Sequence, residues 1–402
     1  MKLGKQRIYD LPVNDITTLG DYARLLQLEA QQRGEVLPPS ILLQIGEPSF
    51  RTPEHIRLAA MQAIENDPIT YGPAAGWHWL RELIAEKIQR VNGYTVSPAN
   101  VSIAMGGTGA LQAAFNATVG EGDEILVPDP AWPLYHMQFA ACGATGVPYP
   151  LDPQNEWLPN IADLEKLVTP RTRILIINTP GNPTGAVFPK QVVNDLLDFA
   201  RRHDLYLISD ECYDQILFEG EHTSPAMMLS QEEFESGRFI GIYTFSKTYA
   251  MTGWRIGYVV TGTQLLKTIV DVLNANQTNM STPIQRAAAA ALTGPQDCAA
   301  EMRDAYHRRR DLAVSLLKDY GRYLYTPHGA FYALVDVSGR NGELRGRQFA
   351  LDLLRTRHVA VAPGSGFGSV SERFVRISLA ASEQDLENGI KAICDFADNL
   401  SV

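Results

Sequence analysis

Apolar positions along the chain follow two periods, and the two alternate. Leu19 to Arg33 has helical spacing and is stopped by Gly34. Pro38-Pro39 then breaks the chain before the apolar run Ile41 to Ile45 and the turn Gly46-Glu47-Pro48. Ile56, Ala59, Ala60, Ala63 and Ile64 predict the apolar face of a helix, with Thr52 as N-cap and Pro53 in its first turn. Tyr71-Gly72-Pro73 and Gly76 mark a turn. Leu80, Leu83, Ile84, Ile88 and Val91 then trace another helix, closed by Gly93.

From Val101 the pattern changes to short continuous apolar runs. These are Val101–Ala104, Glu124–Val127, Arg173–Asn178, Leu205–Ser209, Phe239–Phe245 and Ile256–Thr261. Helical patterns separate several of them, such as Lys190 to His203 with Val193, Leu196, Leu197 and Ala200 on one face. A strand buried on both faces has no alternating polar positions. The pattern therefore predicts an α/β fold, with a mostly parallel sheet covered by helices on both sides. Ala275 to Leu292 predicts a helix leading out of this layer. The remainder reads as helix Ala299–Tyr320, strand Phe331–Val335, helix Leu344–His358 and strand Arg373–Leu379. A final helix starts at Ser382, with Asp385 as capping-box partner. The expected organisation is a large domain over residues 50–292. A smaller α+β domain would combine residues 1–49, including an N-terminal arm, with residues 293–402.

Composition narrows the function. The chain has 402 residues, of which 45% are hydrophobic and 20% charged, ordinary values for a globular protein with a large core. A net charge of −10 disfavours a nucleic-acid partner. No apolar run reaches the ~18 residues of a membrane span. The basic stretch Met1 to Arg7 is followed by no apolar run, so a cleaved signal is not expected. Cys142, Cys212, Cys298 and Cys394 are scattered, which fits reduced thiols in a cytoplasmic protein. The histidines show no metal-ligand spacing, so no metal site is expected.

The candidate chemistry gathers at strand ends. Ligands of such sheets sit at the carboxyl ends of strands. Gly106-Gly107-Thr108-Gly109 follows a strand and opens a helix whose apolar face carries Leu111, Ala114 and Phe115. Free N–H groups and the helix dipole favour an anion there, although an ordinary strand-to-helix turn has the same look. Asp129-Pro130-Ala131-Trp132, Asn182-Pro183-Thr184-Gly185 and Ser209-Asp210-Glu211-Cys212-Tyr213 follow later strands. Last comes Ser246-Lys247, with Arg255 eight positions further on. A lysine at a strand end, beside hydroxyls and an arginine, suits an amine that bonds a phosphorylated aldehyde. Desolvation and a nearby cation make such an amine nucleophilic.

The segment SKTYAMTGWRIGY resembles the Schiff-base lysine region of class I/II aminotransferases, enzymes of pyridoxal phosphate (PLP) fold type I. Tyr71-Gly72, the glycine turn, Asn182-Pro183-Thr184-Gly185, Ser209 to Tyr213 and Arg376 occur in the same chain order as in that family. The resemblance runs from about Leu19 to the C-terminal helix and is closest to the bacterial aspartate aminotransferase branch. It implies an aspartate aminotransferase-like fold, with a seven-stranded type of sheet. Lys247 would bond the coenzyme aldehyde, and Asp210 would keep a proton on its ring nitrogen. Tyr213 and Asn182 would contact its phenolate oxygen, and Trp132 would stack on its ring. The backbone of Gly107, Thr108 and Gly109 would hold the phosphate, with Thr244, Ser246 and Arg255. Gly46 would let the backbone approach the substrate carboxylate, which Arg376 grips, while Arg373 is read as a solvated strand residue. Tyr71 would reach the phosphate of a neighbouring subunit, which implies a homodimer with shared sites.

The implied reaction moves an amino group from an L-amino acid to a 2-oxo acid by a ping-pong route. One position departs from the aspartate branch. Many members there carry a lysine directly after the paired glycines to read a distal carboxylate, and this chain has Thr108. No arginine lies between Asp271 and Gln285, although Arg286 lies just past that stretch. A neutral or aromatic substrate is therefore expected rather than a dedicated aspartate activity. A β-eliminating C–S lyase on the same scaffold is the alternative reaction, because fold and coenzyme do not set the chemistry. A non-catalytic effector-binding module would need neither Lys247 nor this charge balance.

Overall fold

The computed structural model describes residues 15–338 and 346–399. Its centre is a sheet of seven strands: β1 (Val101–Ala104), β2 (Glu124–Asp129), β3 (Thr145–Asp152), β4 (Thr172–Asn178), β5 (Tyr206–Asp210), β6 (Phe239–Thr244) and β7 (Gly257–Thr261). Their order is β1-β7-β6-β5-β4-β2-β3, and the two-residue Leu158–Pro159 extends the β3 edge. Only β7 runs against the others, pairing antiparallel with both β1 and β6.

The apolar runs explain this placement. Ile174 and Ile176 of β4 face one core with Ile125, Val127, Ile240 and Ile242. Leu175 and Ile177 face the opposite core with Leu126 and Leu207. On the first face lie α4 (Gly106–Thr118) and α7 (Thr263–Gln277), through Leu111, Phe115, Leu266 and Ile269. On the second lies α6 (Lys190–Arg202), through Val193, Leu196 and Phe199. Each fully buried side chain of this size contributes about 1.5–3 kcal/mol.

Helices α1 (Asp15–Gln32), α2 (Glu54–Asn66), α3 (His78–Lys87) and α5 (Leu134–Cys142) precede or interleave with the early strands, and α8 (Thr282–Thr293) follows α7. A smaller antiparallel sheet pairs β8 (Tyr332–Asp336) with β9 (Phe374–Ser378). Helices α9 (Asp297–Asp319), α10 (Gly346–Arg357) and α11 (Glu383–Asn399) accompany it. Its core joins Leu19, Leu43, Phe331, Leu353, Ile377 and Leu386. The run at Ile41 forms a parallel bridge to Val359–Ala360.

Several expectations need correcting. The helix predicted from Ala275 to Leu292 is two helices, α7 and α8, separated at 278–281, with Thr278 at φ 60°. Strand β3 and helices α5 and α7 were not expected. Thr52 does not cap α2, whose N-cap position is Pro53. Its hydroxyl instead donates to the Ala250 carbonyl at 2.5 Å and accepts from the Trp254 indole at 3.0 Å, tying this segment to the Lys247 loop. Ile64, placed on the buried face of α2, is exposed. The helix read from Leu344 is described from Gly346, and Leu344 itself lies outside the described residues, as does the N-terminal arm before residue 15. No helix among the described residues is long and apolar enough to cross a membrane.

Candidate active site

At the carboxyl ends of the large sheet the chain encloses a cavity of about 350 Å³. Every residue singled out from the sequence lines it, except Gly109 and Tyr71. Tyr71 is 86% exposed and stands away from the cavity of its own chain.

Asp210 ends β5, and its side chain is buried. The Tyr135 hydroxyl donates to one carboxylate oxygen, and the Cys212 N–H donates to the other at 3.2 Å. No ion pair to Asp210 forms among the described residues. Burial pushes the Asp210 pKa up, although both donors oppose the shift. A carboxylate retains acceptor capacity beyond two bonds. This one can therefore accept a further donor from a group in the cavity. Asn178, the last residue of β4, braces it by donating from its amide to the Asp210 carbonyl at 3.0 Å.

Glycines shape the start of α4. The first N–H groups of a helix have no intrahelical acceptor. At the start of α4, Gly109 donates to the Met105 carbonyl at 3.3 Å, so its N–H is not available to a phosphate, contrary to expectation. Gly107 and Thr108 line the cavity. Gly106 has φ +71°, and a Cβ there would come within 2.8 Å of Arg255 Nη2. At Gly257 a Cβ would fall 2.8 Å from the Gly107 nitrogen. The helix start, the guanidinium and β7 therefore meet only because these positions have no side chain. Arg255 donates to the Thr252 carbonyl at 2.8 Å and pairs with no carboxylate among the described residues. Thr244 donates to the Ser246 hydroxyl at 2.9 Å beside it.

Lys247 Nζ donates to the Gly46 carbonyl at 2.6 Å. It lies 5.9 Å from the Tyr213 ring centre and 5.7 Å from that of Phe331. Glycine at 46 also has a steric reason: a Cβ there would sit 2.1 Å from the Tyr332 hydroxyl oxygen. That hydroxyl shares a hydrogen bond of 2.8 Å with Tyr213. Burial, followed by the Tyr332 neighbour, pushes the Tyr213 phenol well above its usual pKa.

Arg376 on β9 is only 1% exposed. Its Nη1 donates to Asn182 Oδ1 at 2.9 Å, its Nη2 donates to the Gln44 carbonyl, and its Nε has no partner. It stacks 4.4 Å from the Tyr332 ring centre and 4.9 Å from that of Phe367. No carboxylate pairs with it among the described residues, and burial lowers its pKa. A buried cation without a counter-ion is costly, and a ligand carboxylate would supply one. Arg373, by contrast, is partly exposed and pairs with Asp336 at 3.2 Å.

Sequence reasoning missed Tyr135, Asn178, Cys212 and Tyr332. Asn178 carried a signal, as a polar residue ending an apolar run beside the Asp210 strand. Tyr332 carried none, because an aromatic inside a buried strand reads as core. Trp132 was expected as an aromatic wall; it lines the cavity and meets Tyr135 edge-on, with centres 5.5 Å apart.

Comparison with known proteins agrees with this geometry. The sequence profile described as aminotransferase class I and II matches residues 38–393. The chain is 38% identical over 368 residues to the aspartate/prephenate aminotransferase of Thermus thermophilus, covering 90% of this chain and 92% of that protein. It is 37% identical to aromatic-amino-acid aminotransferase 2 of Thermococcus litoralis, covering 87% and 90%. The structure of the Thermus thermophilus aspartate aminotransferase with maleate superposes with a TM-score of 0.89 at 34% identity, covering 98% of this chain and 100% of that one. The profile match and these relatives, over nearly the whole chain, show that it belongs to the class I and II aminotransferases, transaminases that use pyridoxal 5′-phosphate.

Proposed function

We propose that the cavity holds PLP and an amino acid together, and that the enzyme prefers neutral or aromatic substrates. The observation that carries the coenzyme placement is the pair of uncompensated buried charges, Asp210 and Arg376, on the same cavity as Lys247. Asp210 would hold a proton on the coenzyme's ring nitrogen, with Tyr135 orienting the carboxylate. Trp132 would cover the ring face, and Tyr213 with Asn182 would face its phenolate oxygen. Gly107, Thr108, Thr244, Ser246 and Arg255 would hold the phosphate. Bound there, PLP supplies an electron sink for the bond that breaks at the substrate Cα. Lys247 would bond the coenzyme aldehyde, and its amine, once free, would carry the proton to and from the substrate Cα. Arg376 grips the α-carboxylate and so fixes which Cα bond is broken. A half-reaction screen tests this reading: each amino acid is added to the holoenzyme, and conversion of the coenzyme's aldehyde to its amine form is followed by absorbance.

The substrate preference follows from the cations. Among the described residues three line the cavity, and the α-carboxylate, the phosphate and the coenzyme aldehyde account for Arg376, Arg255 and Lys247. Arg286 is held by Asp67 at 2.8 Å and stacks on Trp79, away from the cavity. Ile16, Leu111 and Leu134 are apolar, and the Glu47 carboxylate would repel an acidic side chain. A distal carboxylate without a cation is costly to desolvate. In the half-reaction, rate constant over dissociation constant is expected to be about tenfold or more lower for aspartate and glutamate than for the best neutral or aromatic amino acid. Thr108→Lys should move preference toward aspartate by about tenfold. A wild-type panel led by aspartate would refute the role given to Thr108.

The exposed face of α2 supports a homodimer. Leu58, Met61 and Ile64 lie exposed along it at three-residue spacing, and Ile69 and Tyr71 continue the exposed apolar surface. Contiguous apolar surface of this kind marks an interface. Light scattering is expected to give a dimer, with Tyr71→Phe weakening coenzyme retention about fivefold through one lost hydrogen bond. A fully active monomer, or a variant with unchanged retention, would contradict shared sites.

A further inference from the structure

Asp129 ends β2, three residues before Trp132, and its side chain is nearly buried. Its carboxylate reaches away from the large sheet. One oxygen accepts the Ser369 N–H at 3.1 Å and the Ser369 hydroxyl at 2.7 Å. The other accepts the Val370 N–H at 3.2 Å. Gly368 directly precedes them with φ +144°, and a Cβ there would fall 2.0 Å from Asp129 Oδ1. Two residues on from Asp129, the Ala131 N–H donates to the Phe367 carbonyl at 2.8 Å. Phe367 in turn stacks against Arg376. The segment is closed on itself, because the Ser371 hydroxyl donates to the Gly364 carbonyl at 2.7 Å.

The two halves of the site are thus tied together at this carboxylate and at the adjacent Ala131–Phe367 hydrogen bond. The loop after β2 carries Trp132 and leads into α5, which carries Tyr135, and both line the cavity on the proposed coenzyme half. The 364–371 segment carries Phe367, which backs the guanidinium of the substrate half. Bonds from N–H and O–H donors to a charged acceptor are stronger than neutral ones. An ordinary turn would not need a buried acid that accepts three donors from the other sheet's loop, nor a glycine that a methyl group would block.

We propose that Asp129 is a positioning residue for the substrate half: it holds the Phe367 segment, and through it Arg376, at a fixed offset from the Trp132 wall. It touches neither coenzyme nor substrate. The proposal rests on the reading of Arg376 as the carboxylate grip and goes beyond it, because it assigns the placement of that grip to a residue of the opposite wall.

The experiment uses holoenzymes of wild type, Asp129→Asn, Ser369→Ala, the Asp129→Asn/Ser369→Ala double variant, and Arg376→Lys. An asparagine would set an N–H₂ donor against at least one of the donors now accepted. For Asp129→Asn the apparent dissociation constant of the amino acid in the half-reaction should rise about tenfold. The limiting rate should change far less, and coenzyme absorbance and retention should stay as in wild type. Ser369→Ala should give a smaller rise, and the double variant should match Asp129→Asn alone, since both remove one junction. Loss or spectral change of the coenzyme in Asp129→Asn would place the residue in the coenzyme half and overturn the proposal. An unchanged dissociation constant would overturn it too. If Asp129→Asn does not fold, a Ser369→Ala protein with wild-type affinity has the same force. Arg376→Lys separates the premises: if its dissociation constants are those of wild type, the reading of Arg376 fails whatever Asp129 does.

Discussion

The Lys247→Ala protein is expected to lose three to four orders of magnitude in transamination rate, on the order of what a positioned proton-transfer group contributes. Among the described residues Lys247 supplies the only amine on the cavity wall. The other ionisable groups there are poor substitutes as bases. Burial, with Asp210 close by, pushes the Cys212 thiol well above its usual pKa, and burial does the same to the Tyr213 and Tyr135 phenols. All three stay neutral near pH 7. Lys87, which is buried, is tied to Asp214 outside the cavity. The loss should therefore not be made up by a neighbour. The check has two parts. Borohydride reduction and peptide mapping of the wild-type holoenzyme should label Lys247, and single-turnover absorbance should show the lost proton transfer in the variant. A label on another lysine, or unchanged turnover, ends the assignment.

Arg376→Lys is expected to lower kcat/KM by about a hundredfold to a thousandfold, and by the same factor for every amino acid. That corresponds to roughly 3–4 kcal/mol, within the range for breaking one side of a buried charged pair. The guanidinium fork already serves Asn182 and the Gln44 carbonyl, with the third nitrogen unpartnered. A lysine has no planar fork with which to keep both contacts and meet a carboxylate. It would also lose the stacking on Tyr332 and Phe367. The coenzyme should stay bound, since of its proposed holders only Asn182 touches Arg376. A loss confined to one substrate would show that Arg376 reads a side chain instead.

The strands of the central sheet were legible because both of their faces are buried. Val101–Ala104, Arg173–Asn178 and Phe239–Phe245 are continuous apolar runs, and each lies within a residue of the observed strand. Strand β3 was not legible, for a related reason. It lies near the sheet edge, several of its residues are exposed, and Pro148 and Pro150 interrupt it. Proline is tolerated at an edge but reads locally as a turn. The separation of α7 from α8 was hidden because no glycine or proline stands between Thr263 and the break. Thr278 takes its positive φ from context rather than from its own preference. Most cavity-lining candidates were legible from motif spacing. Tyr135 and Tyr332 were not, since each enters the cavity through contacts between segments distant in the chain.

The reversed strand β7 has a consequence for how the site can diversify. Residues 245–256 form a single hairpin loop clamped at its base by the Thr244–Gly257 pairing, and both Lys247 and Arg255 sit on it. This loop acts as a ruler: the spacing between the amine and the guanidinium is set by one short covalent path. The span from Lys247 to Arg376 is set instead by how two separate sheets meet. Substitutions that re-tilt the smaller sheet can therefore re-gauge the room left for a side chain without altering the coenzyme's anchor points. New substrate ranges are thereby accessible to drift in the second half of the chain, while the hairpin stays unchanged.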